Sequence, residues 1–234
     1  MESTTILLSY ATHPPTFEDP STFLRPVPLM LASTWEAFHT RCVSEAAGFL
    51  SGFCTFGTAL PKELKKQMAA EIKREKHELS PWSLADDEWR ALVRERVDAD
   101  ALRLRSGKSA HIEEYYSTGL GLVKLSSKWS GSRKATTSNA AAIDAFITAR
   151  DRITHRGEAH LSVKDCWKFR QLLILQVIRT ISVVNKHIAS HTKEVFCGIS
   201  MVQLRRELNP YEPNPSMEGT LSGLRPPSVS HVTP

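Results

Sequence analysis

Apolar side chains recur at three- and four-residue steps through most of the chain, and no stretch alternates with the two-residue period of a half-buried strand. Leu31, Trp35, Phe38, Cys42 and Phe49 mark a helix from Leu29 to Leu50. Pro61 opens a highly charged helix to about Glu78 whose apolar stripe is only Leu64, Met68 and Ile72. Ser83 and Asp86 form a cap-like pair before a helix carrying Trp89, Leu92 and Val93 and ending near Ser106-Gly107. A short helix over Ala110 to Thr118 presents Ile112 and Tyr115, with Gly119 and Gly121 punctuating it. Asn139 is placed to cap a helix with Ile143, Phe146 and Ile147 on one face. Ser162 and Asp165 form a second cap-like pair, followed by about 30 residues lined by Phe169, Leu172, Leu173, Val177, Ile181 and Val184.

The pattern predicts an all-α, up-and-down bundle of five to six helices. Residues 1–28 carry an apolar patch, Ile6 to Tyr10, and then several prolines, and are expected to form an irregular arm. The helical domain spans 29–208, and the Pro- and Ser-rich residues 209–234 are expected to be a disordered tail. The helices at Leu29 and Ser162 are expected to pack together, burying Trp35, Phe38, Leu173, Val177 and Ile181.

With 41% hydrophobic residues the chain can build a sizeable core. The longest apolar run, Leu172 to Ile181, is broken by Gln176 and Arg179, and no basic-then-apolar leader opens the sequence. The expectation is a cytoplasmic protein with no membrane association. Cys42, Cys54, Cys166 and Cys197 contain no C-x-x-C pair and are expected to be free, mostly inert thiols.

Charge alters the picture in one place. Between Leu122 and Arg156, seven basic residues (Lys124, Lys128, Arg133, Lys134, Arg150, Arg152, Arg156) face two acids, which accounts for the whole net charge of +5. Such a segment attracts a polyanion such as RNA, with salt-dependent binding; a solvated lysine-rich loop over Lys124 to Lys134 is the alternative. Within it, Arg150 occupies the next position on the apolar face of Ile143, Phe146 and Ile147, where packing alone calls for leucine. A charge there must be paired, for instance with Asp144 or Glu36, or used. His155 follows just before the stop at Gly157. Five residues turn an ideal helix by about 500°, so His155 lies some 140° from Arg150 unless the helix unwinds, as Gly157 suggests it does.

The stretch Arg150-Asp-Arg-Ile-Thr-His155 resembles the R-x(4–6)-H motif of the HEPN superfamily, compact helical domains found in many defence and toxin ribonucleases. The usual form is Arg-Asn-x-Ile-Ala-His-Gly; here Asp151 replaces Asn, Thr154 replaces Ala, and Arg156 stands before Gly157. Ser33-Thr-Trp35-Glu36-Ala-Phe38 is similar to the WExY segment of HEPN relatives, and the resemblance covers roughly residues 29 to 195, with the middle third poorly matched. It is most similar to the RiboL-PSP-like subgroup.

That resemblance implies a metal-independent endoribonuclease, without cofactor, whose site is composed across a homodimer in a prokaryotic defence or toxin–antitoxin setting, with an antitoxin or defence protein as a possible partner. Metal-independent RNA cleavage needs a base for the 2′-hydroxyl, an acid for the leaving 5′-oxygen and positive charge for the transition state, which one His and one Arg cannot supply alone. By the same carry-over Arg150 clamps the scissile phosphate, His155 is acid or base, and Asp151 orients either of them, with Glu36 in support. Lys124, Lys128, Arg133, Lys134, Arg152 and Arg156 are the candidate RNA contacts. A non-catalytic HEPN module binding RNA, nucleotide or protein, and a helical interaction protein with a structural Arg150, are the alternatives. His187 and His191 share zinc-ligand i, i+4 spacing but lack a third ligand beyond Cys197, so no metal site is expected. No phosphate-binding glycine loop follows a strand. Trp129, set between Lys128 and Arg133, is a possible base-stacking side chain.

Overall fold

The computed structural model describes residues 25–74, 84–101, 104, 106–129, 138–156, 161–198, 203 and 206. Among them six α-helices and two short 3₁₀ turns occur and no strand. The all-α expectation holds. The expected arm before residue 25 and the expected tail beyond residue 208 lie outside the described residues.

The first helix, α1 (Pro26–Phe53), starts three residues earlier than expected, inside the proline-rich stretch assigned to the arm. Pro26 and Pro28 are tolerated because first-turn N–H groups have no intrahelical partner to lose. Val27 and Pro28 are accordingly buried core residues. α1 is buried on more than one side: besides Leu31, Trp35 and Cys42 it buries Ala32, Val43, Ala46, Ala47 and Leu50. This suits a central helix, and α1 packs against four of the other five.

α2 (Lys62–Arg74) buries Leu64 and Met68 and presents the rest of its charged surface outward. Its expected continuation to Glu78 falls outside the described residues, as does Ser83. α3 (Glu88–Ala101) buries Trp89, Val93 and Val97 against α1. α4 (Ser109–Leu120) brings Gly119 against Val43 so closely that a Cβ at 119 would lie 2.6 Å from Val43 Cγ1. Gly121 ends α4 in the left-handed region at φ 65°, where its N–H reaches the Ser117 carbonyl and that of Leu122 the Tyr116 carbonyl.

α5 (Asn139–Arg156) is the motif helix. Its cap is Ser138, whose hydroxyl accepts the Ala141 N–H; the expected cap, Asn139, is the first helical residue and donates to the Trp129 carbonyl at 2.7 Å. α6 (Val163–Thr192) has 30 residues and the expected cap, with Ser162 Oγ accepting the Asp165 N–H. That local bonding also holds the Asp165 carboxyl below its ordinary range, first through the Ser162 hydroxyl. α6 is long and apolar enough to cross a bilayer by length and composition. Here it packs on α1 and α5, burying Cys166, Leu173, Val177, Val184 and Ile188.

Phe38 and Ile181, expected in the core, are only half-buried, and flank a cleft between α1 and α6. Polar groups that periodicity did not single out are buried as well: His39, Arg170, Gln176 and Thr180 are all at most 1% exposed. Trp129 is fully buried and donates its indole N–H to Thr180 Oγ1 at 3.0 Å, which excludes it as a base-stacking platform. Its carbonyl also accepts from Arg179, so one residue ties α5 to α6.

His39 sits edge-on to Trp35 (4.1 Å between centroids) with Nδ1 3.0 Å from the Tyr116 hydroxyl. Burial lowers its imidazole from 6.5 to about 3. The unfolded chain therefore binds a proton that the folded chain refuses, and this contribution is complete above pH 6.5 and lost as pH falls from 6.5 towards about 3. The free energy of urea unfolding should fall across that window more steeply in the native chain than in His39→Gln. Parallel declines would show that His39 does not titrate as its burial requires.

Candidate functional site

The site is built from the shared face of α5. Ile143, Phe146 and Ile147 are fully buried, and Arg150 continues their stripe, as its spacing predicts. Its guanidinium meets Glu36 of α1, with Nη2 2.6 Å from Oε1 and the side chains 21% and 29% exposed. Of the two partners expected for a packed arginine, Glu36 is the one used. Asp144 instead accepts the Ser109 N–H and hydroxyl, both at 2.7 Å, securing the start of α4.

The same Glu36 oxygen accepts the Gly107 N–H at 2.9 Å, while the Trp35 indole donates to the Gly107 carbonyl at 2.9 Å. Adjacent residues of α1 thus hold both polar groups of one loop residue. A Cβ at 107 would lie 2.7 Å from Trp35 Cδ1 and 3.2 Å from Ile147 Cδ1, so this grip requires glycine. The sequence marked Gly107 as a helix end; its role as a wedge between α1 and α5 depends on a contact 71 residues away, which local pattern does not carry.

Asp151 lies with Oδ1 3.5 Å from Arg150 Nε, an ion pair without hydrogen-bond geometry, so it helps hold the arginine and not the histidine. His155 departs from expectation. α5 stays helical through Arg156 and does not unwind at His155, with the Thr154 hydroxyl donating back to the Arg150 carbonyl at 3.0 Å. A continuous helix keeps His155 some 140° around the axis from Arg150. His155 is exposed, and among the described residues it has no hydrogen-bond or ion-pair partner. One chain therefore does not bring the two motif residues onto one face.

Arg152, Lys124 and Lys128 are exposed, Lys124 just before the 3₁₀ turn Ser126–Lys128 and Lys128 within it. Arg133 and Lys134 lie outside the described residues, and Arg156 is described only as the last residue of α5. Basic residues in the last turn of α5 suit the negative end of its dipole. A cleft of about 480 Å³ lies among α2, α3 and α4, but its walls include Glu71, Asp100 and Glu114 and no motif residue. Three carboxylates make it a poor path for a phosphate backbone.

His187 and His191 use their rings to tie α6 to earlier elements: His187 Nε2 lies 2.9 Å from the Leu120 carbonyl and His191 Nδ1 3.0 Å from that of Ala59. Desolvation lowers the His187 pKa. Among the described residues no group of three or more His, Cys, Asp or Glu side chains is disposed to hold a metal.

No family model, no curated protein and no solved structure matches the chain.

Because the Glu36–Arg150 pair is largely withdrawn from water, removing one partner strands the other. Single changes Glu36→Gln and Arg150→Gln should each destabilise the fold, and a double-mutant cycle on urea unfolding should give a coupling of about 1–2 kcal/mol. Additive effects would show that the two groups do not interact in solution.

Proposed function

We propose that this chain is a HEPN-type endoribonuclease that cleaves RNA without a metal, acting as a cytoplasmic homodimer in a prokaryotic defence or toxin–antitoxin role. The observation that supports this reading is a convergence. The two segments that resemble HEPN sequences, Trp35-Glu36 and Arg150 to His155, are 114 residues apart at their point of contact and meet through the Glu36–Arg150 ion pair. The arginine is thereby held in one place while its side chain stays 21% exposed.

In this reading Arg150 binds the scissile phosphate through the donors of its fork that Glu36 does not occupy. The substrate's own 2′-hydroxyl attacks phosphorus and the bond to the 5′-oxygen breaks, leaving a 2′,3′-cyclic phosphate and a 5′-hydroxyl. Imidazole takes the first proton or supplies the second. Since α5 points His155 away from Arg150 within one chain, a two-fold dimer is needed to bring one copy's histidine to the other's arginine. Exposed Arg152, Lys124 and Lys128 would position the backbone. An antitoxin or defence partner would cover this surface.

A second reading is favoured by the same ion pair: an arginine already bonded to Glu36 can be purely a tether between α1 and α5, in a module that binds RNA or protein without cleaving it. Purified protein with RNA in excess chelator distinguishes the two. Cleavage with the stated end groups is expected, absent on DNA and abolished by His155→Ala, whose exposed position spares the fold; Arg150→Lys should not restore it. Undiminished cleavage by folded His155→Ala would end the catalytic reading.

A further inference from the structure

Cys42 and Cys197 are far apart in sequence, yet the fold sets both in the wall of one cleft of about 240 Å³ between α1 and α6. The remaining wall is largely apolar, formed by Phe38, Ile181 and Phe196, with Arg41 and Glu45 paired at the mouth. Cys54 and Cys166, both buried, take no part in it.

The position of Cys197 is fixed by Asn185 of α6. The asparagine accepts the Cys197 N–H at 2.9 Å and donates to its carbonyl at 3.0 Å, and the neighbouring Phe196 ring packs edge-on to Phe49. Cys42 is 7% exposed and shares a hydrogen bond with the Tyr116 hydroxyl, which in turn meets His39. Burial pushes the Cys42 thiol up to about 11, and Cys197 is near enough to add to that rise. The two thiols therefore differ in access: both line the cleft, but Cys197 is half-buried and Cys42 nearly fully buried.

We infer that Cys42 and Cys197 are a reversible redox pair, closed by peroxide into an intramolecular disulfide that fastens the segment after α6 to the middle of α1. The Cys197 thiolate attacks one peroxide oxygen, the O–O bond breaks, and a sulfenic acid and one water result. The Cys42 sulfur then attacks Cys197 Sγ, the S–O bond breaks, and the departing hydroxide takes the Cys42 proton to leave as a second water. Two thiols and one hydrogen peroxide thus give one disulfide and two waters. In a reducing compartment such a bond is transient and serves sensing, not scaffolding. The inference is independent of any nuclease activity.

The test is a non-reducing peptide map of the full-length chain after stoichiometric hydrogen peroxide. It should show a Cys42–Cys197 linked peptide, an intact mass lower by two hydrogens, and reversal by dithiothreitol, with no link in Cys197→Ser or Cys42→Ala. Should Cys42→Ala fail to fold, the native map and the Cys197→Ser variant, changed only in the outer segment, still decide. Peroxide products that stop at a Cys197 sulfinic acid, or link Cys197 between two chains while Cys42 stays alkylatable, would overturn the pairing.

Discussion

The carboxylate of Glu36 is shared between a backbone N–H of the loop before α4 and the guanidinium of α5, and the arrangement of the three elements depends on that sharing. A carboxylate partly withdrawn from water is penalised unless it accepts hydrogen bonds in place of those water made. Gly107 and Arg150 meet that requirement from two directions. Trp35 completes the constraint by donating its indole N–H to the Gly107 carbonyl, so α1 fixes the loop, and the loop leaves no volume for a side chain between α1 and α5.

Behind this polar contact lies an aromatic cluster. The Trp35 ring is edge-on to His39 and 5.6 Å from that of Trp129, and His39 is edge-on to Tyr116. Three of these rings bond to another element: Trp129 to Thr180 of α6, His39 through Nδ1 to Tyr116 of α4, and Trp35 to Gly107. Buried aromatic groups of this kind specify which helices neighbour each other, since a slipped helix would leave an indole or hydroxyl unpaired. Among the described residues, His39 Nε2 and both amide atoms of the fully buried Gln176 are buried without a hydrogen-bond partner.

Helical periodicity made the class and most helix positions legible, because each helix carries an apolar face repeated over several turns. It also placed Arg150 on the packed face, where a lone charge demands an acid, and offered Asp144 or Glu36 as that acid. It misplaced the start of α1, where prolines read as breakers lie in the one turn that tolerates them. It assigned Phe38 and Ile181 to the core and overlooked His39, Arg170 and Gln176, because polarity outweighs position when single residues are scored, whereas a central helix such as α1 buries several sides. The unwinding expected at His155 rested on Gly157 and on the four to six intervening residues that the resembled motif allows, whereas the backbone stays helical up to Arg156. The wedge at Gly107 and the cleft shared by Cys42 and Cys197 were illegible for a common reason: each depends on which distant segments meet.

Arg150 can be a tether, a phosphate clamp, or both, and the central claim is that its fork reaches RNA while Glu36 holds it. The most direct measurement is the affinity of a 2′-O-methyl RNA, which cannot supply the nucleophile, for folded native and Arg150→Gln protein at fixed salt. Loss of a charge-assisted phosphate contact should weaken binding at least about tenfold. Equal affinities, with only stability lowered, would contradict the claim and leave Arg150 a structural link between α1 and α5.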